Sequence, residues 1–347
     1  MPLFANLTRD NQSPVKRISQ VVIFLLPVVL FIVSLTLGRY QIGPVDVFRV
    51  LISAIFPAVG SDIPDIARQL ILRVRLPRIL AALFIGASYG VTGSGFQAIF
   101  KNPLVDSNIL GVTSGAGFGA ALALLFLGDP WLVQTSAFFF GLLAVFLSFF
   151  GSRLYKTSPL LVLTLMGILI GSFFSSLTSL LKYVADPLDT LPAITFWLLG
   201  SLTGITWQNL LPLAIITFPG LFVIWLIRWR LNILSLGDSE ALALGVDPTR
   251  MKVGIILVST LMTAAAVSVS GVIGWIGLVI PHAGRMIVGP DHKRLVPVSI
   301  SLGAAFMVVI DSVARTLLPG EIPLGILTGL IGVPIFVFLM RRSKTGW

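Results

Sequence analysis

The 347-residue chain contains no cysteine, which excludes a disulfide framework and any thiolate-based metal site. Charge is scarce as well: Asp, Glu, Lys and Arg make up 11% of the residues, against 56% hydrophobic. A soluble globule has nowhere to hide that much apolar surface, and the apolar residues fall in blocks near the length a bilayer core requires, about 20 residues per helix. Alternation of period two is missing, which argues against a transmembrane barrel. The spanning segments are therefore expected to be helices, because lipid leaves bare backbone groups unsatisfied. No acidic or basic residue falls near the middle of an expected span, which speaks against proton- or sodium-coupled carriage. The P-loop pattern G-x-x-x-x-G-K-[ST] is absent and no glycine is followed by lysine, so ATP hydrolysis, if transport needs it, belongs to a partner. The two histidines, His282 and His292, sit in no H-E-x-x-H or comparable motif. No intramembrane enzyme, metal site or cofactor is expected, and His282, following Pro281, reads as structural.

What is present is a series of apolar segments. We place helices at 20–38, 76–98, 108–128, 131–152, 159–181, 208–230, 251–270, 272–289, 295–313 and 322–340. The fold class is thus all-α: a polytopic bundle of about ten transmembrane helices with both termini cytoplasmic. It comprises a tail (1–19), one transmembrane domain (20–340) and a second tail (341–347). The first block is long for a signal-peptide core and is read as a retained helix. Two further apolar stretches, 44–57 and 191–207, carry Asp46 and Arg49, or Pro192, Gly200 and Gly204, and are assigned to the outer face. With the N-terminus inside, the inner segments hold 16 basic and six acidic residues and the outer ones eight of each. The net charge of +10 then lies on one face, as the positive-inside rule expects. Two spans must share 251–289, and a turn near Ser270, Gly271 and Gly274 is the economical solution. Gly111/Gly115/Gly119, Gly86/Gly90, Gly167/Gly171, Gly200/Gly204 and Gly325/Gly329 recur at a four-residue spacing that lets helix backbones approach closely.

Four blocks carry a family resemblance: RLPRILAALFIGASYGVTGSGFQAIFKNPLVDSNILGVTSGAGFGA (75–120), LGDSEALALGVDP (236–248), SGVIGWIGLVIPHAGRMIVGPDHKRLVP (270–297) and EIPLGILTGLIGVPIF (321–336). In this order they resemble the FecCD-type permeases, the membrane subunits of ABC importers for ferric siderophores, haem and cobalamin. The resemblance covers about Arg73 to Met340. It implies a bacterial cytoplasmic-membrane permease working as a homodimer or close pseudo-dimer. Its partners would be a cytoplasmic ATPase dimer and a periplasmic or lipid-anchored substrate-binding protein, with membrane lipid around it and no nucleic acid. A ferric siderophore is the base-rate cargo; cobalamin or haem is the alternative within the family. A secondary carrier working without ATP is the alternative from another class.

Three candidate sites follow. In the inner loop, Gly237, Asp238 and Ser239 offer a helix start, with Glu240 in its first turn. Gly245 offers a stop before Asp247 and Pro248, giving two short helices in succession. Ala241, Leu242, Leu244 and Val246 would be left partly in water, and the resemblance makes this the ATPase-coupling surface, with Gly237, Asp238, Glu240, Leu242, Leu244 and Gly245 as its residues. Asn102 and Leu104, with Thr157 and Ser158, match family positions that constrict the cytoplasmic mouth. On the outer side Arg73, Arg75, Arg78 and Arg315 form a basic cluster with too few acids nearby to pair it fully. The resemblance gives Arg75, Arg78 and Arg315 the task of docking the binding protein through its acidic residues.

Overall fold

The computed structural model describes residues 14–342 except 39, 55, 57–63 and 156–158, and side chains from Val21 to Arg341 except that of Pro159. Among these residues all regular structure is helical. Helix α1 spans Pro14–Thr36 and α2 Pro44–Ser53. Helix α3 (Asp65–Gln69) runs through a π-helical turn, Leu70–Arg75, into α4 (Leu76–Phe100). A 3₁₀ turn, Ser107–Leu110, precedes α5 (Val112–Phe126), which is followed by α6 (Pro130–Ser152), α7 (Pro159–Val184), α8 (Thr190–Leu199) and α9 (Trp207–Leu236). The remainder comprises α10 (Asp238–Ala243), α11 (Pro248–Ser270), α12 (Ile276–Val288), α13 (His292–Thr316) and α14 (Leu324–Arg342). Among the described residues six helices are long and apolar enough to cross a membrane: α6, α7, α9, α11, α13 and α14.

Helix starts follow local chemistry. Asp129 accepts hydrogen bonds from the Trp131 and Leu132 N–H groups before α6, with Pro130 in the first position, where no N–H is missed. Asp247 does the same for Arg250 before α11, with Pro248 following it, and Asp291 for Lys293 before α13. The expected turn between the two spans of 251–289 is present: α11 ends at Gly271, whose φ of +69° favours glycine, and α12 begins after Trp275.

Helix α4 is the hub. Its small-residue face meets α13 and α12 at backbone contact: a Cβ added to Gly86 would strike the Gly303 carbonyl and lie 2.6 Å from Met307 Cβ, and one on Gly93 would strike the backbone of Gly277. The four-residue glycine spacing is thus a packing device, as it is between α5 and α6, where a Cβ on Gly115 would lie 2.7 Å from Ala144 Cβ. At the end of the bundle assigned to the inner face, arginines lie over aromatic rings of their own helices or helix ends. Arg153 is 4.6 Å from the Phe149 centroid, Arg228 4.3 Å from Trp225 and Arg230 5.1 Å from Trp229.

Three expected boundaries are corrected. The span placed at 108–128 begins as an α-helix only at Val112, because Asp106 accepts the Asn108 N–H and holds a 3₁₀ turn that ends at Gly111 (φ +84°). Arg315 lies in the last turn of α13 rather than beyond it. The second of the two short helices after Gly237 is the first turn of the 23-residue α11.

Candidate functional site

The inner loop is built around α10. Gly237 (φ +154°) packs under Glu240, whose carboxylate would collide with any Cβ there, while Lys252 holds Asp238 at 2.7 Å and so ties α10 to α11. Glu240 accepts from its own backbone N–H and from the Ser239 hydroxyl, which holds its carboxyl below the ordinary value. Gly245 (φ +76°) makes the expected stop, and its N–H bonds to the Leu242 carbonyl. Of the four apolar residues expected partly in water, Leu242 and Leu244 are 61% and 59% exposed, whereas Ala241 and Val246 are buried against the protein's own helices. Two leucines therefore stand out from a turn whose backbone is fixed on both sides.

At the neighbouring loop, Asn102 accepts the Leu104 N–H, and Leu104 projects with 54% of its surface exposed. Lys101 takes a left-handed conformation (φ +48°) to end α4 and brings its Nζ next to Gly237. The loop carrying Asn102 and Leu104 thus abuts the base of α10. Thr157 and Ser158 lie outside the described residues.

The outer arginine cluster differs from expectation. Arg75, Arg78 and Arg315 are buried, at 3%, 6% and 8% exposure. Arg75 donates to the carbonyls of Leu35, Thr36 and Tyr40 and so caps the end of α1. Arg78 donates to Asp311 Oδ1 at 2.8 Å and, in a fork, to both Glu321 oxygens at 2.8 and 2.9 Å. Arg315 lies 3.1 Å from Asp311 Oδ2 and donates to the Ser34 hydroxyl at 2.7 Å. The few nearby acids are shared: Asp311 serves two arginines, Glu321 accepts from Arg78 and from Thr203, and Arg75 is satisfied by carbonyls instead. Tertiary folding brings these residues together from α1, α4, α13 and two loops, a convergence invisible to loop-by-loop counting.

Sequence reasoning missed a fourth feature. A groove of about 420 Å³ opens between the 107–111 turn, α5 and α7, lined among others by Asn108, Ser114, Ser172 and Ser175. It carries no charge, and scattered serines in an apolar helix give no distinctive sequence signal.

An all-helical bundle in which, among the described residues, six helices are long and apolar enough to cross a membrane is the architecture of a multi-pass membrane protein. The chain belongs to the FecCD transport family, whose model matches residues 25–342, and is accordingly an ABC importer permease in which transport, not catalysis, is the task. It is 40% identical over 322 residues to the molybdate import system permease protein of Haemophilus influenzae, covering 93% of this chain and 95% of that one. Over 275 residues it is 38% identical to a probable iron chelatin transport system permease of Helicobacter pylori, covering 79% and 83%. A solved metal-chelate type ABC transporter in an inward-facing conformation superposes with a TM-score of 0.84 at 38% identity, covering 94% of this chain and 99% of that one.

Proposed function

We propose that the chain is the ten-helix membrane subunit of a binding-protein-dependent importer that carries a metal-bearing solute into a bacterial cell. It works as a pair of permease subunits on two cytoplasmic ATPases. The observation that carries this reading is the preformed turn at α10, where Leu242 and Leu244 are held exposed beside Asp238 and Glu240. Two leucines on a braced cytoplasmic turn form an apolar contact for a partner, and the family makes that partner the ATPase. Asn102 and Leu104, with Thr157 and Ser158, form the cytoplasmic gate. Because the gate loop abuts Gly237 through Lys101, a displacement of α10 reaches the gate directly. Arg75, Arg78 and Arg315 serve docking of the binding protein by shaping the outer rim, since their guanidinium groups are engaged internally.

A ferric chelate is the first substrate reading, supported by the iron chelatin relative. A molybdate-type oxyanion is the second, favoured by the relative that is 40% identical over nearly the whole chain. The test is purification of the tagged chain from its host in mild detergent, followed by reconstitution. An ABC ATPase should copurify, and uptake should require ATP. Uptake that persists without any ATPase would instead identify a secondary carrier.

A further inference from the structure

Helix α9 carries no charged residue until its far end. Its outward residues, among them Leu211, Ile215 and Phe218, are apolar and more than half exposed, as a lipid-facing strip requires. Trp207 opens the helix and donates its indole N–H to the Leu72 carbonyl at 2.9 Å. Arg228 stands about 32 Å further along, close to the thickness of a bilayer's hydrocarbon core. If Trp207 marks one membrane surface, Arg228 is level with the phosphates of the other, at the end of the bundle assigned to the inner face.

Arg228 is not placed as a snorkelling arginine is. Snorkelling extends the side chain away from the apolar core, which here means along α9 toward Leu236. The guanidinium instead folds back one turn: it lies 4.3 Å from the centroid of the Trp225 ring and donates through Nη1 to the Trp225 carbonyl at 2.6 Å. Its Nε is buried with no partner, and no carboxylate pairs with it among the described residues. Trp225 in turn stacks on Phe222, 6.0 Å away at 21°, and both residues are exposed. The three side chains form a column about 9 Å deep, aromatic toward the membrane centre and cationic at the interface. Asn232, one turn beyond Arg228, donates to Asp291 at 2.6 Å and accepts the His292 N–H at 2.7 Å. That contact brings the start of α13, with exposed Lys293, to the same side of α9. Asp291, the nearby acid, is engaged in the cap: its Oδ1 accepts from Asn232 and from the Lys293 backbone N–H.

We propose that this column is a binding site for one anionic phospholipid of the inner leaflet. Its phosphate sits on the Arg228 guanidinium and one of its acyl chains lies over Trp225 and Phe222, with Lys293 as the second cation beside the headgroup. A cation held back at the membrane boundary without a counter-ion is costly, so a phosphate there relieves what the protein itself leaves uncompensated. The ring beneath Arg228 fixes its planar fork, the geometry that suits two phosphate oxygens. A zwitterionic lipid brings its own cation next to Arg228 and Lys293 and is held less well. The inference is independent of the solute carried and rests on α9 crossing the membrane.

The test is a lipid titration of the full-length protein, purified with whatever subunits accompany it and stripped of lipid in mild detergent. Dioleoyl phosphatidylglycerol or dioleoyl phosphatidylcholine is added back, and bound lipid is counted by native mass spectrometry. The wild type should take up phosphatidylglycerol first, one molecule per permease chain, and the preference should shrink as salt is raised. Arg228→Gln should weaken phosphatidylglycerol binding by about fivefold, the share of one basic residue at an anionic surface, and leave phosphatidylcholine binding unchanged. Lys293→Gln, at an exposed position, should act in the same direction, and it carries the test should Arg228→Gln lose both lipids through misfolding. Arg153→Gln is the control: Arg153 also lies over a ring of its own helix, on Phe149 of α6, and its loss should leave the preference intact. Equal binding of the two lipids by the wild type would overturn the site, as would a preference that survives both Arg228→Gln and Lys293→Gln. An equal fall in Arg153→Gln would replace it with a diffuse basic belt. None of these outcomes touches the importer reading, which copurification of an ATPase decides.

Discussion

At the residue scale the buried ion pairs of the outer rim dominate. Arg78, Asp311 and Arg315 are nearly without solvent contact, so their charges are tolerable only because Asp311 pairs with both arginines. Removing one member strands the rest: Asp311→Ala should destabilise the protein by about 3–5 kcal/mol, read as a fall in the detergent-solubilised melting temperature. Asp311→Asn, which keeps hydrogen bonds but not charge, should lie between the two; a melting temperature equal to wild type in Asp311→Ala would deny the network its role. Glu321, on the loop before α14, titrates where it can be seen. Burial works against its ionisation, yet hydrogen bonds from Arg78 and Thr203 and the charges of Arg78 and Arg315 prevail, holding its carboxyl below the ordinary range. A carboxyl with a depressed folded-state value contributes stability above its unfolded value and loses it as pH falls through the folded one. Acidification below the ordinary carboxylate range should therefore loosen the rim, and Glu321→Gln should flatten that acid limb. An unchanged acid limb in the variant would assign it to other carboxylates.

At the element scale, α10 and the gate loop carry the mechanical predictions, and they show what a sequence can and cannot disclose. The stop at Gly245 was legible because the positive φ of such a turn selects glycine, and the caps at Asp247 and Pro248 because cap chemistry is local. That Ala241 and Val246 turn inward while Leu242 and Leu244 turn outward was not legible, since it depends on where α9 and α11 lie. Leu242→Asp places a charge in the exposed apolar contact without touching the core, and Gly245→Pro forbids a φ of +76° and removes the N–H bonded to Leu242. Both variants should insert normally and lose ATP-driven uptake, Leu242→Asp by at least about tenfold for a contact residue worth some 1.4 kcal/mol or more. Uptake and ATPase copurification at wild-type levels in both would exclude α10 as the coupling element. In the proposed permease pair, a cysteine at Leu104, half-exposed on the proposed gate loop, should crosslink to its counterpart in some nucleotide states only. Crosslinking that ignores nucleotide would argue against gating there.

At the scale of the whole molecule, the ten stretches singled out by apolar length each contain a helix, and among the described residues six helices are long and apolar enough to cross a membrane, because the demand for about 20 apolar residues is a property of the solvent rather than of tertiary contacts. The short helices α2 and α8 and the pairing of the outer arginines lay beyond that rule, the arginine pairing because it joins segments distant in the chain. Sidedness rests on charge alone, through the positive-inside bias, and it has a decisive test at the two ends of α7. Leu154, before the helix, is 83% exposed and Leu188, after it, 91%. Neither anchors the core, so a cysteine at either position should leave the fold intact. If α7 crosses once, the two positions lie on opposite faces, with Leu154 beside Arg153 and Lys156 on the basic, cytoplasmic side. An impermeant thiol reagent applied to spheroplasts should then label Leu188→Cys at once and Leu154→Cys only after permeabilisation. Labelling in the reverse order would invert the topology and move α10 and the gate loop to the outer face, where no ATPase could reach them. Immediate labelling at both positions would mean that α7 does not span.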